Sequence, residues 1–143
     1  AHERIAAEGP LPWREATAII ADACRGLVAA HAAGVLHRDV KPGNLLRCAA
    51  DGSAKLGDFG LAKFIDATTP LTAADRLLGT PHYMSPEQCR GEEVDDLSDV
   101  YSLGATYFAL LTGQAPYDAP GAMEMMFAHC SRPVIWPRPC CGS

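Results

Sequence analysis

From Trp13 to Ala33 the chain carries apolar residues at three- and four-residue steps, with Ile20, Ala23, Leu27 and Ala30 on one stripe, which predicts a helix with a single buried face. Gly34 suits the position just past its end, where a left-handed residue closes a helix at no steric cost. Before it, Ala1 to Pro12 reads as a short helical or irregular lead-in broken by Gly9-Pro10 and Pro12. Leu45-Leu46 and Lys55-Leu56 flank the turn-prone pair Asp51-Gly52 and predict a small hairpin, with Asn44 at one end and Asp58 at the other. The stretch from Leu61 to Met84 is long and polar and is expected to be a mobile loop. A second helix should begin near Ser98. Its Val100, Leu103, Ala105, Tyr107, Phe108, Leu110 and Leu111 surround most of the circumference, which predicts burial on nearly all sides, and Gly113 would end it. Gln114 to Tyr117 makes a turn and Ala122 to Cys130 a further short helix. The chain is therefore expected to be mainly α with one small β-hairpin, without internal repeats.

Composition narrows this only slightly. A chain of 143 residues buries about two-thirds of its unfolded surface, enough for one domain or a piece of one. With 48% hydrophobic residues, 20% charged and a formal charge of -5, it lies far from the disordered class, and its mild acidity argues against a nucleic-acid surface. The cysteines Cys24, Cys48, Cys89, Cys130, Cys140 and Cys141 never form a Cys-x-x-Cys pair, so they are expected to be reduced thiols, with neither a zinc site nor a thioredoxin-like motif. The scattered imidazoles His31, His82 and His129 suggest no metal site, and Met123, Met125 and Met126 are expected to fill a core or face a partner. No start resembles a signal peptide, and no apolar run reaches the roughly eighteen residues of a membrane span.

Chemistry concentrates in two short words, His37-Arg38-Asp39-Val40-Lys41-Pro42-Gly43-Asn44 and Asp58-Phe59-Gly60. A hydroxyl that attacks a phosphate needs a carboxylate to orient it and take its proton, and the phosphates need charge neutralised by a metal held on oxygens. An extended loop puts Asp39 and Asn44 near one another, Asp39 toward the hydroxyl and Asn44 toward magnesium, with Lys41 in reach of the transferred phosphate. Asp58 supplies the second metal ligand. A lone Asp39 would read as a turn aspartate; with Lys41 and Asn44 behind it, the spacing favours the catalytic reading.

With these words, Gly79-Thr80-Pro81-His82-Tyr83-Met84-Ser85-Pro86-Glu87 and Ser98-Asp99-Val100-Tyr101-Ser102-Leu103-Gly104 follow in order. In them the chain resembles the eukaryotic-type protein kinase family, closest in wording to bacterial serine/threonine kinases. The resemblance implies the C-terminal (large) lobe of a protein kinase-like fold, with a catalytic loop at 37–44, a magnesium-binding motif at 58–60 that includes Phe59 and Gly60, and an activation segment at 58–87. It further implies ATP and Mg2+ as cofactors and serine or threonine as acceptor, since Lys41 marks that class. Thr80 would bond Asp39 and Lys41, and His37 would be a structural packer. Arg38 would pair with a phosphate on the mobile loop, for which Thr68, Thr69 and Thr72 are the candidates. Asp99 would accept backbone hydrogen bonds from the 37–39 loop. Glu87 normally pairs with an arginine, and neither Arg132 nor Arg138 stands in the family's word for it.

No Gly-x-Gly-x-x-Gly and no lysine precede His37. The chain is thus expected to be a single partial kinase domain over 1–143, lacking the small lobe that would pack on it. Such a fragment is expected to be nearly inactive, to expose the apolar surface left by that lobe and to be poorly soluble. The intact protein would phosphorylate protein serine or threonine in the cytoplasm, with a membrane anchor elsewhere in its length allowed. The alternatives are a non-catalytic pseudokinase or binding remnant, and a small-molecule phosphotransferase of the aminoglycoside or choline kinase type.

Overall fold

The computed structural model describes residues 9–58, 63–64 and 81–137. The first helix, α1, runs over Trp13–Ala32 and buries Ala16, Ile19, Ala23 and Leu27. Its buried stripe is thus rotated slightly from the predicted one: Ile20 is only partly buried against the core, and Ala30 is half-buried. The small Ala16 and Ala23 let neighbouring backbone approach while Ile19 and Leu27 fill the gaps. Gly34 adopts φ +72 directly after the helix, and its N–H donates to His31 O at 2.9 Å. That left-handed residue turns the chain into β1 (Val35–Leu36).

The predicted hairpin forms from β2 (Leu45–Arg47) and β3 (Ala54–Leu56), antiparallel with Leu45 opposite Leu56. Gly52 takes φ +72 in its turn, and Asp51 Oδ1 accepts from Ser53 N at 3.0 Å and Ser53 Oγ at 2.7 Å. The hairpin docks on α1, where Asp22 Oδ2 accepts from Ala54 N at 2.8 Å. A second ladder corrects the expected 61–84 loop: β4 (Lys63–Phe64) pairs antiparallel with β1, Val35 opposite Phe64. Two-residue strands carry no period, so alternation never signals them. At the far end of that stretch, Pro81–Tyr83 forms a single 3-10 turn.

Three helices follow: α2 (Pro86–Arg90), α3 (Asp96–Thr112) and α4 (Ala122–Ser131). The helix α3 starts where Asp95 accepts from Leu97 N at 3.0 Å and stops at Gly113, φ +75. It packs across α1, so Leu103 and Leu110 join Leu11, Ile19, Leu27, Val40 and Leu45 in one core. Leu11 N donates to Leu110 O at 2.8 Å, and the Thr17 and Tyr107 hydroxyls meet at 2.6 Å. The predicted burial of α3 on nearly all sides does not hold, since Leu97 is 66% and Val100 56% exposed. One side of α3 stays open because no described element covers it. Met125 is buried in α4 and Met123 exposed, so the three methionines divide between core and surface.

Candidate active site

The loop after β1 is held from below by one carboxylate. Asp99, in the first turn of α3 and 1% exposed, accepts from His37 N at 2.9 Å, Arg38 N at 2.8 Å and His31 Nε2 at 2.7 Å. Backbone amides that would otherwise be orphaned in the interior are thereby paired. Arg38 sits at φ +66, a left-handed conformation that β-carbon crowding disfavours. Its carbonyl accepts from Gln88 Nε2 of α2 at 2.9 Å, so two helices grip the same residue. His37 is fully buried. Its Nδ1 accepts from Asp39 N at 3.3 Å, which places the ring proton on Nε2, and Nε2 donates to Gly57 O at 3.0 Å. The histidine therefore ties the loop to the residue that follows β3 of the hairpin.

Above this base Asp39, Lys41 and Asn44 converge. Lys41 Nζ donates to Asp39 Oδ2 at 2.6 Å. Asn44 Nδ2 donates to the same oxygen at 3.1 Å and to Asp39 O at 2.8 Å. Oδ2 is therefore engaged twice, and Oδ1 of Asp39 has no hydrogen-bond partner among the described residues. Asn44 is buried in the 3-10 turn Pro42–Asn44, and with its amide hydrogens spent on Asp39 its amide oxygen is what it offers a ligand.

Asp58 comes to this loop through the hairpin. Gly57 N donates to Asn44 O at 2.8 Å, so Asn44 and Asp58 lie at the two ends of β2 and β3. A Cβ at position 57 would lie 2.7 Å from Leu46 Cδ1, so a larger residue there would have to displace the exposed Leu46 side chain. Asp58 is exposed and left-handed, φ +57. An amide oxygen and one carboxylate are hard donors that suit a magnesium ion keeping waters and phosphate oxygens as its other ligands. Among the described residues no group of three or more His, Cys, Asp or Glu side chains could hold a metal ion alone.

The guanidinium of Arg38 has its Nε buried without a hydrogen-bond partner among the described residues. Burial pulls its pKa below the usual arginine value, and the neighbouring Asp99 opposes that shift. Glu87, on α2, accepts from Ser98 Oγ. Burial works against its ionisation, yet hydrogen bonds from Ser98, its own backbone and Ser85 outweigh that and hold its carboxyl below the usual range. Thr80, Phe59, Gly60, Thr68, Thr69 and Thr72 lie outside the described residues.

Sequence reasoning missed three supports of this site. His31 was only one scattered imidazole, and nothing local pairs it with Asp99 across the chain. Ser85 and Gln88 had a readable signal, since Ser-Pro-Glu-Gln has the Ser-x-x-Gln spacing of a capping box. Ser85 Oγ accepts from Gln88 N at 3.4 Å and Gln88 Oε1 from Ser85 N at 3.0 Å, closing that box at the start of α2.

The protein kinase domain family matches residues 1–136 of the chain. Among curated proteins, the chain is 41% identical over 130 residues to the serine/threonine-protein kinase PknB of Mycobacterium leprae, covering 91% of this chain and 21% of that protein. Its counterpart in Mycobacterium tuberculosis is 40% identical over 131 residues, with the same coverage of 91% and 21%. The serine/threonine-protein kinase Pkn1 of Myxococcus xanthus is 42% identical over 127 residues, 87% of this chain and 18% of that protein. The chain thus spans about a fifth of the length of these relatives (21%, 21% and 18%).

Proposed function

Because the chain belongs to the protein kinase domain family, we propose that it carries the large-lobe half of a serine/threonine kinase active site, which in the whole protein moves the γ-phosphoryl group of ATP to a protein hydroxyl. One observation carries the reading: Lys41 and Asn44 both donate to Oδ2 of Asp39, which orients the carboxylate and leaves Oδ1 for the incoming hydroxyl. Asp39 would align that hydroxyl and receive its proton, and Lys41 would balance the phosphoryl charge. Asn44 and Asp58 would hold the magnesium that comes with ATP, and this ion neutralises the phosphates. The unpartnered Nε of Arg38 suits a phosphate on Thr68, Thr69 or Thr72, and Thr80 would complete the contacts of Asp39. Serine or threonine as the acceptor rests on Lys41 and on the names of the relatives. We assign the catalytic loop to 37–44, the metal motif to 58–60 and the activation segment to 58–87, working in the cytoplasm. The 143 residues alone are expected to turn over little ATP.

The test is Asp39→Asn in the whole protein, measured with ATP, Mg2+ and a serine/threonine peptide mixture. The amide keeps the shape but cannot take a proton, so kcat should fall by about 10²–10⁴-fold with the thermal melt unchanged. Wild-type protein that phosphorylates an aminoglycoside or choline and no peptide would replace this reading with a small-molecule one. An unchanged rate in Asp39→Asn would remove the role of Asp39.

A further inference from the structure

Two cysteines far apart in sequence meet where α2 packs on α4. Cys130 Sγ lies 3.6 Å from Pro86 O, in the first turn of α2, and Arg90 Nη2 reaches Cys130 O at 3.5 Å. Cys89 stands between those two anchor points, three residues after Pro86 and one before Arg90, and the thiol of Cys130 is near enough to act on its ionisation. Both are unpaired thiols and partly buried. Cys24 and Cys48 lie elsewhere, on α1 and beside β2.

We propose that Cys89 and Cys130 form a reversible disulfide when the protein meets a peroxide, stapling the helix that grips Arg38 to α4. Cys130 sulfur attacks one peroxide oxygen and the O–O bond breaks; the released hydroxide takes the thiol proton and leaves as water, while Cys130 becomes a sulfenic acid. Cys89 sulfur then attacks Cys130 sulfur, the S–O bond breaks, and the oxygen departs with the second thiol proton as another water. Two thiols lose two electrons and one peroxide is reduced to two waters. The order of the sulfurs follows from their surroundings. Burial first, then the adjacent Cys130 thiol, push the Cys89 thiol up to about 12, so the first attack falls to Cys130; its oxidation removes that thiol's share of the shift before Cys89 attacks as the resolving sulfur.

The staple joins α4 to the helix whose Gln88 side chain holds the Arg38 carbonyl, so oxidation restrains the segment that supports the 37–44 loop. The bond itself is independent of any catalytic reading. The experiment treats the folded whole protein with hydrogen peroxide, blocks remaining thiols with an alkylating reagent, and maps peptides without reduction. A peptide pair joined through Cys89 and Cys130, two hydrogens lighter than the sum of its parts and lost on dithiothreitol treatment, is the expected result. In Cys89→Ser the same treatment should leave Cys130 as a sulfenic acid that dimedone captures. Both residues alkylated as free thiols under conditions that oxidise exposed Cys24 would overturn the proposal. So would Cys130 oxidised to the sulfinic acid beside an unreacted Cys89, or a bond from either to a cysteine of a second molecule.

Discussion

At residue 99 one buried carboxylate serves three donors: the amides of His37 and Arg38 and the ring of His31. Asp99→Ala would leave two interior N–H groups without acceptors, each worth about 1–3 kcal/mol, so the urea midpoint should drop by the equivalent of roughly 2–6 kcal/mol. Asp99→Asn keeps one acceptor oxygen and should lose less. A midpoint unchanged in Asp99→Ala would mean that water or another side chain takes over the amides. The words around Asp39, Asn44 and Asp99 were visible in the sequence because their residue types and spacing are chemical. The His31 contact was not, since it joins positions brought together only by packing α1 against α3. Nor could spacing show that Lys41 and Asn44 choose the same oxygen of Asp39, because that depends on side-chain rotamers.

Among the elements, those with a period or a turn signal were legible and those without were not. The helix α1 declares itself by its stripe and by Gly34, the β2–β3 hairpin by Asp51-Gly52, and α3 by its apolar run from near Ser98 to Gly113, although it starts two residues earlier, at Asp96. The β1–β4 ladder is too short to alternate. The five residues of α2 are too few for a stripe, so only its cap announces it. Such a helix leans heavily on its end: Ser85→Ala removes the acceptor of Gln88 N and should cost about 1 kcal/mol, read as a lower melting temperature. Its effect should extend to Arg38, because Gln88 both closes the box and holds the Arg38 carbonyl. A Ser85→Ala protein whose melting point matches wild type would show that α2 is held by α4 alone. The exposed side of α3 was misjudged for a different reason: apolar residues report which faces can be buried, and only a covering element decides which are.

For the molecule as a whole, acid should weaken the fold over two separate pH windows. His129 in α4 is buried, its Nδ1 taking the Tyr101 hydroxyl at 2.8 Å, and burial holds its pKa below the usual histidine value. As pH falls below about 6.5 the unfolded chain binds a proton that the folded ring refuses, so stability declines until the folded pKa is passed. Glu87 acts lower. Its depressed carboxyl stabilises the fold above the ordinary glutamate pKa, and that contribution is lost as pH drops below about 4.3 toward its folded value. A series of thermal melts between these limits should show the upper decline in wild type and its absence in His129→Asn, which keeps an acceptor for Tyr101. An upper decline that persists in His129→Asn would assign it to another group. An apolar hollow of about 530 Å³ lies along the open side of α3, lined by Tyr101, Phe108, Leu111 and Trp136 among others, and Phe108 and Trp136 meet edge to face with centroids 5.2 Å apart. No helix of the described residues is long and apolar enough to cross a membrane. The left-handed turns at Arg38 and Asp58 carry a last implication. Neither residue would hold that shape by its own preference, which runs about 1–2 kcal/mol the other way; Arg38 keeps it because α2 holds its carbonyl and α3 its amide. A synthetic peptide of residues 37–58 would contain nearly every reactive atom and still be limp, because the tension that aims them is borrowed from helices it would not include.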